Sequence, residues 1–123
     1  MSSTYIRSKD YLMKRGYHVG KTETWNSFSH TRKDLFNVFD GIAVSISEQG
    51  ILGFQTTTKE NISSRRNKAL QEPALLVWLH AGGRFEIHGW FKEKGSRHWS
   101  VKVENITIAD TECGLTMIKE NNG

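Results

Sequence analysis

The chain has 123 residues, of which 37% are hydrophobic and 24% are charged, and its formal net charge is +4 at pH 7. This balance predicts one globular domain and excludes a disordered chain, which would have fewer apolar residues and a larger net charge. The modest basic excess favours an acidic partner such as nucleic acid. The single cysteine, Cys113, excludes an internal disulfide, and the scattered histidines do not have the spacing of zinc ligands.

No stretch of the sequence has the length and hydropathy of a signal peptide or a membrane span. We therefore expect a cytoplasmic protein with no membrane partner. Internal repeats, glycine-rich phosphate loops and low-complexity tracts are absent from the sequence as well. Functional motifs must therefore lie within a single fold.

The first quarter of the chain predicts a helix followed by a strand. Apolar side chains at helical spacing in residues 5–15 indicate a short amphipathic helix, and Gly16 is expected to end it. Residues 17–25 alternate and predict a strand that leads into a polar loop at residues 26–31. Glu23 is the only acidic residue in this region, and a plain surface glutamate is one interpretation of it.

Residues 39–57 predict a β-hairpin whose polar side chains gather at one edge. Turn residues at 47–50 separate an alternating apolar strand from a returning strand. On the returning strand, Gly53, Gln55 and Thr57 are expected to share one face, with space beside them. If the strands pair antiparallel, Asp40 lies near Gln55 and Thr57, so that a carboxylate, an amide and a hydroxyl converge.

The segment after the hairpin predicts two helices. Residues 60–71 indicate a helix that follows directly from the returning strand, and the apolar run at 74–80 indicates a helix packed against the sheet. The first helix has a positive stripe formed by Arg65, Arg66 and Lys68. Such a stripe fits a nucleic-acid backbone, and an ordinary solvated helix face is an equally good interpretation.

Two more strands are predicted, at residues 84–91 and 99–103. The first is expected to have a polar or half-exposed face. Trp90 and Trp99 are expected to pack against each other across the two strands, and stacking on nucleic-acid bases is the alternative. The pattern is lost after residue 105, and residues 119–123 are expected to form a frayed tail.

The hairpin resembles the catalytic hairpin of the PD-(D/E)XK nuclease superfamily, in which an Asp opens one strand and an acidic-x-Lys triplet lies on the next. Here the corresponding residues are Asp40 and the triplet Gln55-Thr56-Thr57. The order of elements over residues 5–103 is most similar to small resolvase-like and VRR-NUC-like proteins of phages and bacteria. The resemblance implies an α/β domain with a mixed central sheet flanked by helices.

The same resemblance implies a Mg²⁺ or Mn²⁺ site that hydrolyses phosphodiester bonds in DNA, including branched or structured DNA. Gln55 replaces the acid of the triplet and Thr57 replaces its lysine, which departs from the family pattern. The implied metal ligands are therefore Asp40 and an oxygen of Gln55, helped by Asp34 or Glu23. Lys59 is expected to supply the missing ammonium.

Several alternatives remain open from the sequence. Arg32 and Lys33, beside Asp34, can contact a phosphate or simply neutralise that acid. Asp34 and Asp40 can be turn residues beside a solvated Gln/Thr face. The chain can also be a catalytically decayed nucleic-acid-binding protein of the same fold, or a phage accessory protein that binds another protein through a Trp-rich sheet. DNA and RNA are not distinguished, and a homodimer is expected by analogy because resolving a symmetric junction needs two cuts.

Overall fold

The computed structural model describes residues 3–22, 24–36 and 38–111, and for residues 3, 24–26 and 31–33 it describes only the backbone. Cys113 and the predicted tail therefore lie outside the described residues. The first half of the chain contains helix α1 (Ser3–Lys14) and strands β1 (His18–Lys21), β2 (Thr24–Asn26), β3 (Thr31–Lys33), β4 (Gly41–Val44) and β5 (Leu52–Thr58). The second half contains a 3₁₀ turn (Lys59–Asn61), helices α2 (Ile62–Leu70) and α3 (Pro73–His80), and strands β6 (Arg84–Phe91) and β7 (Ser100–Ile106).

Five of these strands form one mixed sheet in the order β1-β4-β5-β6-β7, and β2 pairs with β3 in a separate two-stranded ribbon. The strands β5 and β6 are parallel, whereas the other neighbours in the large sheet are antiparallel. Parallel neighbours need a crossover connection, which α2 and α3 provide here. The predicted α/β class with a mixed sheet and flanking helices is confirmed.

Each face of the sheet has its own hydrophobic core. The core on the α1 side contains Tyr5, Leu12, Tyr17, Ala43, Leu52 and Phe54. The core on the side of α2 and α3 contains Val38, Phe39, Ile62, Ala69, Leu70, Leu75, Leu79, Phe85, Ile87 and Ile106. Burying a large apolar side chain stabilises a fold by about 1.5–3 kcal/mol, so these two clusters supply the main driving force for folding.

The hairpin forms where it is predicted, and its glycines show why. Gly50 has φ of +84°, the left-handed conformation expected in the turn before β5. Gly53 lies on the α3 side of β5, where the ring of Phe39 covers it, and a Cβ there would lie 2.5 Å from Cδ1 of Phe39. The prediction of open space beside Gly53 is therefore wrong, because an aromatic ring from the residue before Asp40 fills it.

The boundaries of other elements differ from the sequence pattern. The strand predicted over residues 17–25 ends at Lys21, and the backbone N–H of Thr22 then donates to the carbonyl of Asp40 at 3.1 Å. The helix predicted from residue 60 begins as a 3₁₀ turn at Lys59. In the last hairpin Trp90 pairs with Val101, whereas Trp99 precedes β7, so the two tryptophans are not cross-strand partners as predicted.

Candidate functional site

Asp40 lies at the point where β4 and β5 part. Its backbone N–H donates to the carbonyl of Phe54 at 2.9 Å, as in a regular ladder. The next N–H of β5 that points toward β4 is that of Thr56, and it donates to Oδ2 of the Asp40 carboxylate at 2.8 Å. Because a side chain has replaced a backbone acceptor, the two strands separate here, and a partly exposed carboxylate is held at their fork.

Residues of α1 and β1 surround this carboxylate. The Tyr5 ring stacks on Phe54 with ring centroids 6.0 Å apart, and burial together with the negative charge of Asp40 raises the pKa of Tyr5. The hydroxyl of Thr4 lies 3.0 Å from that of Thr56. Nζ of Lys21 lies 5.4 Å from the centre of the Tyr5 ring. Hydroxyl groups and an ammonium group therefore share the neighbourhood of Asp40.

The sequence pattern did not indicate Thr4, Tyr5 or Lys21. The β1–β4 pairing places Lys21 opposite Gly41, directly after Asp40. The sequence does show Lys21 at the end of a predicted strand. It indicates a role for Lys21 near Asp40 only when the pairing of β1 with β4 is known. Because Lys21 and Asp40 are far apart in the sequence, a local pattern does not reveal that they are close in the fold.

Gln55 and Thr57 are buried, so the interpretation of their face as solvated is wrong. Nε2 of Gln55 donates to the carbonyl of Val38 at 3.0 Å. Oε1 of Gln55 is buried and has no hydrogen-bond partner within the described part of the chain. Since side chains alternate along a strand, Gln55 and Thr57 lie on the α2 and α3 side, opposite Thr56. The hydroxyl of Thr56, rather than that of Thr57, contacts Asp40, at 3.5 Å from its Oδ2.

Lys59 lies beyond the end of β5, and its ammonium contacts an aromatic ring. Nζ of Lys59 is 4.5 Å from the centre of the Phe91 ring. Phe91 belongs to β6, which flanks β5 on the side away from β4 and Asp40. The role of Lys59 at the Asp40 site remains a prediction, and it requires this side chain to leave Phe91.

The remaining predicted metal ligands are Asp34 and Glu23, and Arg32 and Lys33 are predicted phosphate contacts. Asp34 is partly buried and has an interaction partner of its own. Glu23 lies outside the described residues, and the structure describes only the backbone of Arg32 and Lys33. Across residues 3–22, 24–36 and 38–111, no group of three or more His, Cys, Asp or Glu side chains is arranged to hold a metal ion.

The positive stripe of α2 is partly used within the protein. Arg66 forms ion pairs with Glu104, at 3.1 Å, and with Asp110, at 3.2 Å. The pKa of Asp110 is lowered mainly by the backbone N–H of Thr107, against some desolvation, and Arg66 lowers it further. Arg65 and Lys68 are exposed. Two of the three predicted phosphate contacts therefore remain available on this helix.

A network of buried polar groups lies between α1 and β6, two strands across the sheet from β4 and Asp40. Nε2 of His88 is 2.9 Å from Oε1 of Glu86, and Nδ1 is 2.8 Å from Oγ of Ser8. Ser8 also accepts a hydrogen bond from Nε1 of Trp90 at 2.9 Å, and Arg15 pairs with Glu86 at 3.3 Å. The predicted polar face of β6 is therefore buried rather than half-exposed.

The electrostatics of this hydrogen-bonded network of Ser8, His88, Glu86 and Arg15 favour a charged Glu86. Burial alone would raise the pKa of Glu86, but the hydrogen bonds from His88 and Arg15, together with their charges, outweigh it and lower the pKa. Ser8 and His88 are fully buried, so a substrate cannot reach the Ser8 hydroxyl. The Ser-His-Glu arrangement thus anchors α1 to the sheet rather than forming a nucleophilic site.

The donor atoms at the fork have the chemistry that a hard divalent cation requires. Asp40 precedes Gly41, and Gln55 follows Phe54, the pairing partner of Gly41. The Asp40 carboxylate lies with Thr56 on the α1 side, whereas the Gln55 side chain lies with Val38 on the α2 and α3 side, so the predicted convergence of the two side chains is not observed. A carboxylate and an amide oxygen suit Mg²⁺ or Mn²⁺, which take their remaining ligands from water and substrate phosphates. A buried acceptor without a partner costs about 1–3 kcal/mol, and a ligand to Oε1 of Gln55 would recover that cost.

Comparison with known proteins adds no family. The chain matches no family model, no curated protein and no solved structure. Among the helices of the described residues, none combines the length and hydropathy needed to cross a membrane.

Proposed function

We propose that this protein is a metal-dependent nuclease of the PD-(D/E)XK type that hydrolyses phosphodiester bonds in DNA. The observation that carries the proposal is the Asp40 carboxylate, which the N–H of Thr56 holds, partly exposed, at the fork between β4 and β5. The order of elements also supports it, because a helix, a strand hairpin and then a helix with basic residues follow one another as the family resemblance implies. Branched or flapped DNA is the expected substrate.

Asp40 would hold the metal ion through its carboxylate, and the amide oxygen of Gln55 would become a second ligand only if its side chain moved from the α2 and α3 side of the sheet to the Asp40 side. A bound divalent ion supplies Lewis-acid catalysis and an activated water at neutral pH. The hydrogen bond from the Thr56 N–H fixes the Asp40 carboxylate before substrate arrives, so little reorganisation is needed during reaction.

Basic residues would hold the phosphate backbone near this carboxylate. Lys21 is the ammonium that β1 brings to the neighbourhood of Asp40, and it adds positive potential where the phosphodiester binds. Lys59 is the second candidate for this role. The exposed Arg65 and Lys68 of α2 would contact the backbone farther along the DNA.

The test is cleavage of labelled linear, nicked, flapped and four-way-junction DNA with Mg²⁺ or Mn²⁺. We expect Asp40→Asn to reduce cleavage by more than about 100-fold, because losing even an outer partner of a metal ligand costs about 10- to 100-fold. Glu93→Gln is the control, since it removes an exposed carboxylate in the β6–β7 loop. Cleavage that persists with a chelator, or that Asp40→Asn leaves unchanged, would contradict the proposal.

A second function, nucleic-acid binding by a decayed nuclease, is favoured by two observations. Asp40 is the one carboxylate that the described contacts bring to the fork, and Thr57 stands where the family has lysine. In that case the same DNAs would bind without being cut, and binding would weaken steeply with added salt. Parallel binding and cleavage assays on the four substrates therefore separate the two functions.

A further inference from the structure

A cleft between α1 and the β6–β7 hairpin is lined by aromatic and basic side chains. Its volume is about 500 Å³, within the range of small-molecule sites. Tyr11 of α1, Trp90 of β6 and Trp99 before β7 contribute rings to its walls. None of these three residues contributes a ligand or a phosphate contact to the site around Asp40.

Trp99 is the accessible ring of this cleft, and two cations lie against it. Its exposed fraction is 41%, whereas that of Trp90 is 7%. Cζ of Arg7 lies 3.7 Å from the centre of the Trp99 ring, and Nζ of Lys92 lies 4.9 Å from it. Indole rings and guanidinium planes are the groups on which proteins stack unpaired nucleobases.

The charge of the cleft favours an anionic ligand. Arg7 and Lys14 line it, Lys92 lies beside Trp99, and Asp10 is the one acidic residue of the lining. Three positive charges against one negative charge create a positive potential within a concave surface, which concentrates anions. A ligand that combines a flat ring with a phosphate matches both the aromatic walls and this charge.

The wall formed by Trp90 is fixed before a ligand arrives. Ser8 accepts a hydrogen bond from Nε1 of Trp90, and Ser8 is itself held by His88 and, through it, by Glu86. Tyr11 packs edge-on against Trp90 with ring centroids 6.3 Å apart. The buried polar network therefore preorganises the cleft, which reduces the entropic cost of binding.

The cleft lies at the same end of the sheet as Asp40. The parallel register of β5 and β6 places Trp90 opposite Thr58, two residues beyond the Thr56 that binds Asp40. From the spacing of strands and the rise per residue, the Cα atoms of Thr56 and Trp90 are about 8 Å apart. Asp40 lies one strand farther to one side, before β4, and Trp99 lies one strand farther to the other, before β7, so several nucleotides of an extended strand separate Trp99 from Asp40.

We propose that this cleft binds one unpaired nucleotide of the substrate, with its base against Trp99 and its phosphate near Arg7 and Lys14. Its position several nucleotides from the cleaved bond rests on the proposed function, whereas binding of a single strand to the cleft does not. A paired base would first have to leave its helix, at a cost of a few kcal/mol. The cleft therefore selects flaps and junction ends over intact duplex.

The test is fluorescence anisotropy with a short labelled DNA single strand and a duplex of the same length, in the presence of a chelator. We expect Trp99→Ala to weaken single-strand binding about 5- to 150-fold, the range observed for loss of one stacking ring. Trp99→Phe should retain most of the affinity because it keeps an aromatic face. Duplex binding should change little in either variant.

Lys14 and Lys9 provide a matched comparison on one helix. Both are exposed residues of α1, but Lys14 lines the cleft and Lys9 does not. We expect Lys14→Ala to weaken single-strand binding and to reduce the slope of log Kd against log salt by about one, and Lys9→Ala to do neither. Melting temperatures equal to that of the wild type would show that the variants are folded.

The inference is overturned if Trp99→Ala binds the single strand as Lys9→Ala does, or if it weakens duplex binding to the same degree. Failure of the cleft is distinguishable from failure of the nuclease. Cleavage that depends on Asp40, with single-strand binding insensitive to Trp99, would refute only the cleft. Binding that depends on Trp99, with no cleavage by the wild type, would refute only the nuclease.

Discussion

The two faces of the central sheet are covered in different ways. On the side of α2 and α3 the buried residues are mainly apolar, and Phe39 and Ile87 are completely enclosed. On the α1 side the buried residues include Ser8, Glu86 and His88, joined by hydrogen bonds. The apolar face supplies most of the stability, whereas the polar face brings hydroxyls, charges and aromatic rings to Asp40 and to the cleft.

The largest effect expected from this comparison is on stability, at the apolar face. Ile87→Ala should lower the free energy of unfolding by about 2–5 kcal/mol, because the enclosed side chain leaves a cavity among Phe39, Ile62 and their neighbours. DNA binding by the remaining folded protein should be unchanged. Urea denaturation with an unchanged m-value, together with anisotropy on the folded fraction, measures both. If Ile87→Ala lowered DNA affinity as strongly as it lowers stability, the two faces would not have separate roles.

A comparable loss of stability, accompanied by a loss of DNA binding, is expected at the polar face. Ser8→Ala removes the hydroxyl that satisfies both Trp90 and His88, and each buried group left without a partner costs about 1–3 kcal/mol. Because Trp90 then loses its anchor, single-strand affinity should fall while duplex affinity is retained. Urea denaturation and anisotropy check this pair of outcomes. If Ser8→Ala loses stability only, Trp90 does not depend on this hydroxyl.

The sequence could indicate the local pattern of both faces but not their burial. The strand at residues 84–91 has the predicted bounds, because its alternation is a property of adjacent residues. Glu86 and His88 were expected on a half-exposed face, since the sequence does not show that Ser8 and Arg15 approach from more than 70 residues away. A polar residue is safely buried only with such partners, so its burial cannot be deduced locally.

The candidate site shows the same division. The antiparallel hairpin that brings Asp40 to Thr56 follows from the turn at residues 47–50 and the alternation around it. The association of Lys21 with this region depends on β1 pairing with β4, which no local pattern specifies. The face of Gln55 was predicted correctly, but its burial was not, because Phe39 and Val38 close over that face from outside the strand.

The smallest effect expected is a pH dependence that arises at the polar face. The pKa of Glu86 is lowered below its ordinary value of 4.5, so its contribution to stability is complete above about pH 4.5 and is lost as pH falls toward the lowered pKa. Glu86→Gln should therefore flatten the fall in unfolding free energy below that pH. Urea denaturation across a pH series measures it, with Glu93→Gln as the exposed control. An unchanged slope in Glu86→Gln would show that Glu86 is not the responsible carboxylate.

The hydrogen bonds of Ser8 also set the order in which this chain can be completed during translation. The partners of Ser8 are His88 and Trp90, which lie 80 and 82 residues later in the chain. The helix α1 is synthesised before β6, so it cannot acquire these partners until β6 has also been synthesised. The apolar side chains of α1 can pack on β4 and β5 before β6 is made, but the buried polar contacts of Ser8 are completed only when β6 joins the sheet.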